Sequence, residues 1–64
     1  GILTQQELRI VELMSERLTN KEIAVQMFLS EGTIKQYINQ IYSKLHIEGD
    51  TRIKRKKLLD QLNM

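Results

Sequence analysis

Lys35, Gln36, Asn39, Gln40 and Ser43 fall on one arc of a stretch, residues 31–45, that otherwise has the apolar spacing of a helix. An amide side chain carries a donor and an acceptor together, so Asn or Gln can pair with N6 and N7 of adenine, and lysine can bond O6 and N7 of guanine. A helix also has the width to enter the major groove of B-DNA. A merely solvated face would more often carry Glu and Lys at i, i+4, worth about 0.2–0.5 kcal/mol per pair. Asn and Ser are poorer helix formers than either, so their presence needs a reason. Two readings of this face stay open, base recognition and an incidental uncharged surface.

A second concentration of chemistry is "RIKRKK", residues 52–57, with five basic side chains in six. Residues 1–30 carry three basic and four acidic groups, whereas residues 31–64 carry seven basic and four acidic, so the net charge of +2 conceals a cationic second half. Such a cluster is read either as a solvated helix face or as a contact for a polyanion.

The elements that must position these groups are helical. Proline is absent, the three glycines are scattered and nothing repeats. Thr4-Gln5-Gln6-Glu7 has the spacing of a capping box, which starts a first helix near Gln5. Leu8, Val11, Met14 and Leu18, widened by Ile10 and Leu13, give that helix its apolar stripe and carry it to near Arg17. Thr19-Asn20-Lys21-Glu22 is a second capping box, followed by a short helix with Ile23, Ala24 and Met27 on one face. Ser30 is a third N-cap, opening the helix over residues 31–45 with Ile34, Ile38, Ile41 and Leu45 as its buried stripe and Tyr37 and Tyr42 beside it. Two helices joined by so short a turn, the second longer, make a helix-turn-helix. Asp50 is placed to cap a fourth helix with Leu58, Leu59 and Leu62 as its apolar face.

At these residues the sequence resembles the LuxR-type (GerE-type) helix-turn-helix domains of bacterial transcription regulators. The resemblance is carried by Leu3-Thr4-Gln5-Gln6-Glu7, by Arg17-Leu18-Thr19-Asn20-Lys21-Glu22-Ile23-Ala24, by Leu29-Ser30-Glu31-Gly32-Thr33-Ile34-Lys35-Gln36-Tyr37 and by Ile41-Tyr42-Ser43-Lys44-Leu45. It implies an all-α, compact four-helix domain spanning residues 1–64, the C-terminal output domain of a longer regulator that binds double-stranded DNA sequence-specifically. It further implies that Lys35, Gln36 and Asn39 contact bases, that Asn20, Lys21, Thr33 and Lys44 contact phosphate, and that Leu58, Leu59 and Leu62 form the contact of a weak homodimer on DNA. Helix N-termini offer free N–H groups to a phosphate, which agrees with Asn20 and Thr33.

Several positions depart from the family pattern. Arg17 stands where a left-handed C-cap favours glycine, so a strained or reshaped turn is expected there. Gln6 replaces an arginine, Tyr37 a histidine and His46 a glycine, while Arg55 and Lys56 replace small or apolar residues of the last helix. Tyr37 is expected to pack its ring and send its hydroxyl to a polar partner or a phosphate. His46, without a second ligand nearby, is read as a helix C-terminal residue.

Two other classes are weighed. Region 4 of bacterial sigma factors resembles the same fold and would add RNA polymerase as a partner, although Tyr37, Asn39 and Tyr42 fit its recognition helix less well. A helical protein-interaction module is the other. An enzyme is not expected: no cysteine, catalytic pairing, phosphate loop or metal-ligand cluster stands out, so no catalytic residue, metal or cofactor is assigned. No apolar run approaches the roughly 20 residues that span a bilayer. With 41% hydrophobic and 28% charged residues the chain reads as a globular cytoplasmic domain, and Gly1 in place of methionine suggests an excised domain or a processed chain.

Overall fold

The computed structural model describes residues 2–62, which measure 28 × 25 × 19 Å. Four helices follow one another, α1 (Gln5–Ser15), α2 (Asn20–Met27), α3 (Glu31–Lys44) and α4 (Thr51–Leu62), with no strand among the described residues.

Each helix starts where a short polar side chain takes over an orphan backbone N–H. The Thr4 hydroxyl accepts from the Glu7 N–H at 3.2 Å while Thr4 N–H donates to Glu7 Oε1 at 2.9 Å. Thr19 and Glu22 repeat the exchange at 3.1 and 2.8 Å. Ser30 accepts from Thr33 N–H at 3.1 Å, and Asp50 from Ile53 N–H at 2.9 Å. All four caps fall where the sequence places them.

The helices stop by one device used three times. Arg17, Phe28 and His46 adopt left-handed backbone, with φ of 66°, 58° and 55°. The residue after each donates back to a carbonyl five positions earlier: Leu18 to Leu13, Leu29 to Ala24 and Ile47 to Tyr42. These are Schellman turns, which glycine enters without penalty, yet no glycine fills any of them. The turn at Arg17 therefore keeps its ordinary shape and carries the strain. Gly49 is where glycine is needed: its φ is 128°, and a Cβ there would lie 3.0 Å from Ile53 Cγ2.

The core joins Ile10, Val11, Leu13 and Met14 of α1, Ile23 and Ala24 of α2, and Ile34, Ile38, Ile41 and Tyr42 of α3. Ile47 and Leu58 close it from the α4 side. Three expectations need correction. Leu8 is 47% exposed, because the inward arc of α1 runs through Glu7, Ile10 and Met14, one position off. Leu45 is only half-buried, since α3 ends at Lys44 and the turn brings Ile47 into the core instead. Leu58 is fully buried, so it belongs to the monomer's own core and has no surface to offer a dimer partner.

Glu7 is the buried charged residue, 1% exposed. Lys44 Nζ donates to its Oε1 at 2.6 Å, tying the end of α3 to the start of α1. The Lys44 ammonium, then the Thr4 N–H, hold the Glu7 carboxyl below its ordinary value against the opposing effect of burial. The Tyr37 ring is half-buried and its hydroxyl donates to Gln6 Oε1 at 3.0 Å, the polar partner expected of it.

Candidate nucleic-acid interface

The side of α3 opposite its isoleucines is open. Lys35, Gln36, Asn39, Gln40 and Ser43 are all exposed on it, so the arc inferred from spacing is a continuous surface. Lys35 Nζ lies 3.6 Å from Glu31 Oε2 one turn earlier, and both side chains are about half exposed. A pair so hydrated costs little to separate, leaving Lys35 free to turn to another acceptor.

Asn20 and Lys21 form the first turn of α2 beside this surface. The Thr19 hydroxyl takes only the Glu22 N–H, so the Asn20 and Lys21 N–H groups remain outward donors at a positive helix end. At the start of α3, Thr33 Oγ1 lies 2.8 Å from Ser30 Oγ and is held within the cap. A Cβ on Gly32 would meet nothing nearer than 4.0 Å, so packing within the chain does not require glycine there.

A cleft of about 390 Å3 gathers several of these groups. Asn20 stands on one wall, Lys35 and Asn39 on the second, and Thr51 and Lys54 of α4 on the third, with Ile38 and Tyr42 at its floor. Lys54 Nζ sits 5.6 Å from the centroid of the Tyr42 ring, a cation–π contact that aims it along this cleft. Burial raises the Tyr42 hydroxyl above its ordinary pKa, with Arg55 opposing, so the ring stays neutral. Gln36, Lys21 and Thr33 lie outside the cleft.

The first 56 residues match the model of the GerE family, described as bacterial regulatory proteins, luxR family. The chain belongs to that family. Among relatives of this GerE-type domain, it is 48% identical over 50 residues to the DNA-binding transcriptional activator DevR/DosR of Mycobacterium tuberculosis, covering 78% of this chain and 23% of the relative. It is 36% identical over 50 residues to the transcriptional regulatory protein LnrK of Bacillus subtilis, with the same shares, 78% and 23%. It is 38% identical over 48 residues to the spore germination protein GerE of Bacillus subtilis, covering 75% of this chain and 65% of the relative. The chain thus spans about a quarter of the first two relatives. No solved structure matches it.

Within the GerE-type domain one sequence-based assignment changes and two residues are added. Lys44, expected at a phosphate, has its ammonium on the buried Glu7 carboxylate, because the last turn of α3 faces α1. Thr51 was not singled out by sequence and Lys54 only as one of the basic cluster, yet they complete the cleft beside Asn39. The signal was available in part: Lys54 precedes the buried Leu58 by one helical turn and so shares its side of α4. Among the described residues no helix is long and apolar enough to cross a membrane, and no group of acidic, His or Cys side chains could hold a metal.

Proposed function

We propose that this chain binds double-stranded DNA sequence-specifically, with α3 in the major groove, as the output domain of a longer bacterial transcription regulator. The observation that carries the reading is the exposed amide face of α3, flanked by the free N–H groups and Lys21 at the start of α2. Lys35, Gln36 and Asn39 read base edges. Asn20, Lys21 and Thr33 hold phosphate and fix register. Lys44 is left out of this set, since its charge holds α3 against α1.

Support for a regulator comes from the family and from relatives named as transcriptional regulators. Competition binding against operator variants tests the assignment. Asn39→Ala or Lys35→Ala is expected to relax specificity at one or two base pairs, each worth about 1–3 kcal/mol. Lys21→Ala is expected to weaken all sequences alike and flatten the salt dependence. Equal losses on every sequence for Asn39→Ala would remove it from the base-reading set.

The isolated domain is monomeric under this reading. With Leu58 buried, the exposed apolar residues of α4 are Ile53 and Leu62, nine positions apart and so on opposite sides of the helix. Leu59 is half-buried between them. Along α4 no continuous apolar stripe is left for a second copy, and pairing on DNA rests on whatever holds two regulators together. Sedimentation of the DNA-free domain at about 0.1 mM, a concentration that weak self-association would reveal, is expected to give a monomer.

A further inference from the structure

A second cleft borders α4 on its other flank and shares no residue with the first. Its volume is about 560 Å3. Leu18 and Leu59, both half-buried, make an apolar floor. Arg17, Arg55 and Lys56 make a cationic rim, and the Ser15 and Thr19 hydroxyls lie at the α1 end. Arg55 is anchored there by donating to the Leu18 carbonyl at 2.6 Å. Asp60 is the one carboxylate on the wall. Among the described residues, the ion pairs join Arg9 to Glu12, Lys35 to Glu31 and Lys44 to Glu7, so none of the three rim cations has a carboxylate partner.

Arg17 adds a second observation. Its φ of 66° is a conformation that glycine adopts freely and that an arginine holds against steric cost. The same conformation ends α2 at Phe28 and α3 at His46, so what is particular to Arg17 is that the turn sets an exposed cation at the mouth of a cleft.

We propose that this cleft docks an acidic segment of a protein partner, its carboxylates on Arg17 and Lys56 and an apolar side chain between them on Leu18 and Leu59. The apolar floor favours a protein segment over a nucleic-acid backbone, whose phosphates have no use for it. The cleft also opens on the flank of α4 away from the one that holds Asn39 and Lys35, so a partner could sit there while α3 reads DNA. The inference goes beyond the DNA-binding reading and does not depend on it.

The test is an NMR titration of the domain with a peptide of about 15 residues, long enough for marginal helicity, carrying Glu at i, i+3 and i+7 around a Leu at i+4. A counterpart with Lys at each Glu position is the control. Shifts are expected at the Ser15, Leu18, Thr19 and Leu59 amides, with none from the lysine peptide. Lys56→Glu is expected to weaken binding about five-fold, the scale of reversing a rim charge. Arg17→Gly is expected to weaken binding while raising the thermal midpoint, a split that loss of structure cannot produce. Binding is also expected to survive saturation with a duplex of about 20 base pairs, enough for two half-sites. Displacement by that duplex would assign the cleft to DNA or to a second copy bound on it, and overturn the proposal. Shifts centred on Lys35 and Asn39, or unchanged affinity in both variants, would overturn it as well.

Discussion

α3 and α4 are nearly equal in length, 14 and 12 residues, and are attached to the rest of the molecule by different physics. α3 is two-sided: Ile34, Ile38 and Ile41 are buried on one face, and the opposite face is left for recognition. Its attachment is chiefly apolar area, which is non-directional, with one charged tie, Lys44 to Glu7, at its last turn. α4 buries Leu58 fully, with Leu59 half-buried against the core, and is held in addition by cations. Arg55 donates to the Leu18 carbonyl, Lys57 to the Glu48 carbonyl at 2.9 Å, and Lys54 rests over Tyr42. Long basic side chains can cover apolar surface with their stems while their heads stay hydrated. Three of the five cations of residues 52–57 therefore fasten the helix, and the cluster is not simply a solvated face.

The largest expected effects test the apolar half of this contrast. Ile38→Ala and Leu58→Ala should each cost about 2–5 kcal/mol, the loss of a well-buried side chain plus the cavity it leaves. Ile53→Ala, at a position 47% exposed on α4, should stay within about 0.5 kcal/mol, as surface substitutions do. Thermal melts followed by circular dichroism would measure all three. If Ile53→Ala costs as much as Ile38→Ala, apolar area beyond Leu58 and Leu59 holds α4 and the contrast fails.

Next in size is the joint between α3 and α1. Lys44→Ala strands the buried Glu7 carboxylate and should cost about 3 kcal/mol, less than a fully buried pair only if water reaches Glu7 through the space vacated. The pH dependence has a definite sign. Because the Glu7 pKa is lowered on folding from its ordinary 4.5, its contribution is present above that value and is lost as the pH falls through the lower folded pKa. The wild-type midpoint should therefore drop on acidification below about pH 4.5, and Lys44→Ala, having lost the principal cause of the shift, should show a shallower drop. Parallel acid profiles for the two proteins would mean that Glu7 is not what titrates.

Legibility from sequence follows the same division. Caps and apolar periodicity are local, so Thr4, Thr19, Ser30, Asp50 and the isoleucine stripe of α3 were readable from spacing alone. The amide face was readable because it is the complement of that stripe. Glu7 was understood only as half of a capping box, since its second partner, Lys44, is 37 positions away and no periodicity links them. Leu58 was grouped with Leu59 and Leu62 because a helix with so few apolar residues does not reveal which of them points inward. Arg55 was legible only as a departure from a small or apolar position, since the Leu18 carbonyl that accepts from it is 37 positions away. In each case the missing information was a partner distant in sequence.

The cationic half of the contrast is tested by Arg55→Ala, which removes a charged donor from the Leu18 carbonyl at the end of α1. The bond is partly buried, and its loss should cost about 1.5 kcal/mol, the lower range for a hydrogen bond to a charged group. Lys57→Ala, whose bond to the Glu48 carbonyl is exposed, should cost less than about 0.5 kcal/mol. Equal effects would show that position along the helix, rather than burial of the acceptor, governs how α4 is held.

A smaller effect than that of Arg55→Ala is expected at the joint between the two helices, and it should be a gain. His46 ends α3 in left-handed backbone and is exposed, so its side chain offers no packing to offset the conformation. Left-handed backbone costs an L-residue roughly 1–2 kcal/mol, which glycine avoids. Glycine also enlarges the freedom of the unfolded chain, which takes back about 0.4–1 kcal/mol. The difference predicts that His46→Gly stabilises the domain by about 0.5–1 kcal/mol, a rise of several degrees in the midpoint for a chain of this size. Gly49→Ala, three residues later, is expected to act in the opposite direction, because its Cβ would press on Ile53 at 3.0 Å in a backbone of φ 128°. Measuring the pair separates strain from flexibility: if both substitutions destabilise, the turn between α3 and α4 depends on a contact of His46 rather than on its backbone, and the accounting of strain at the helix ends is wrong.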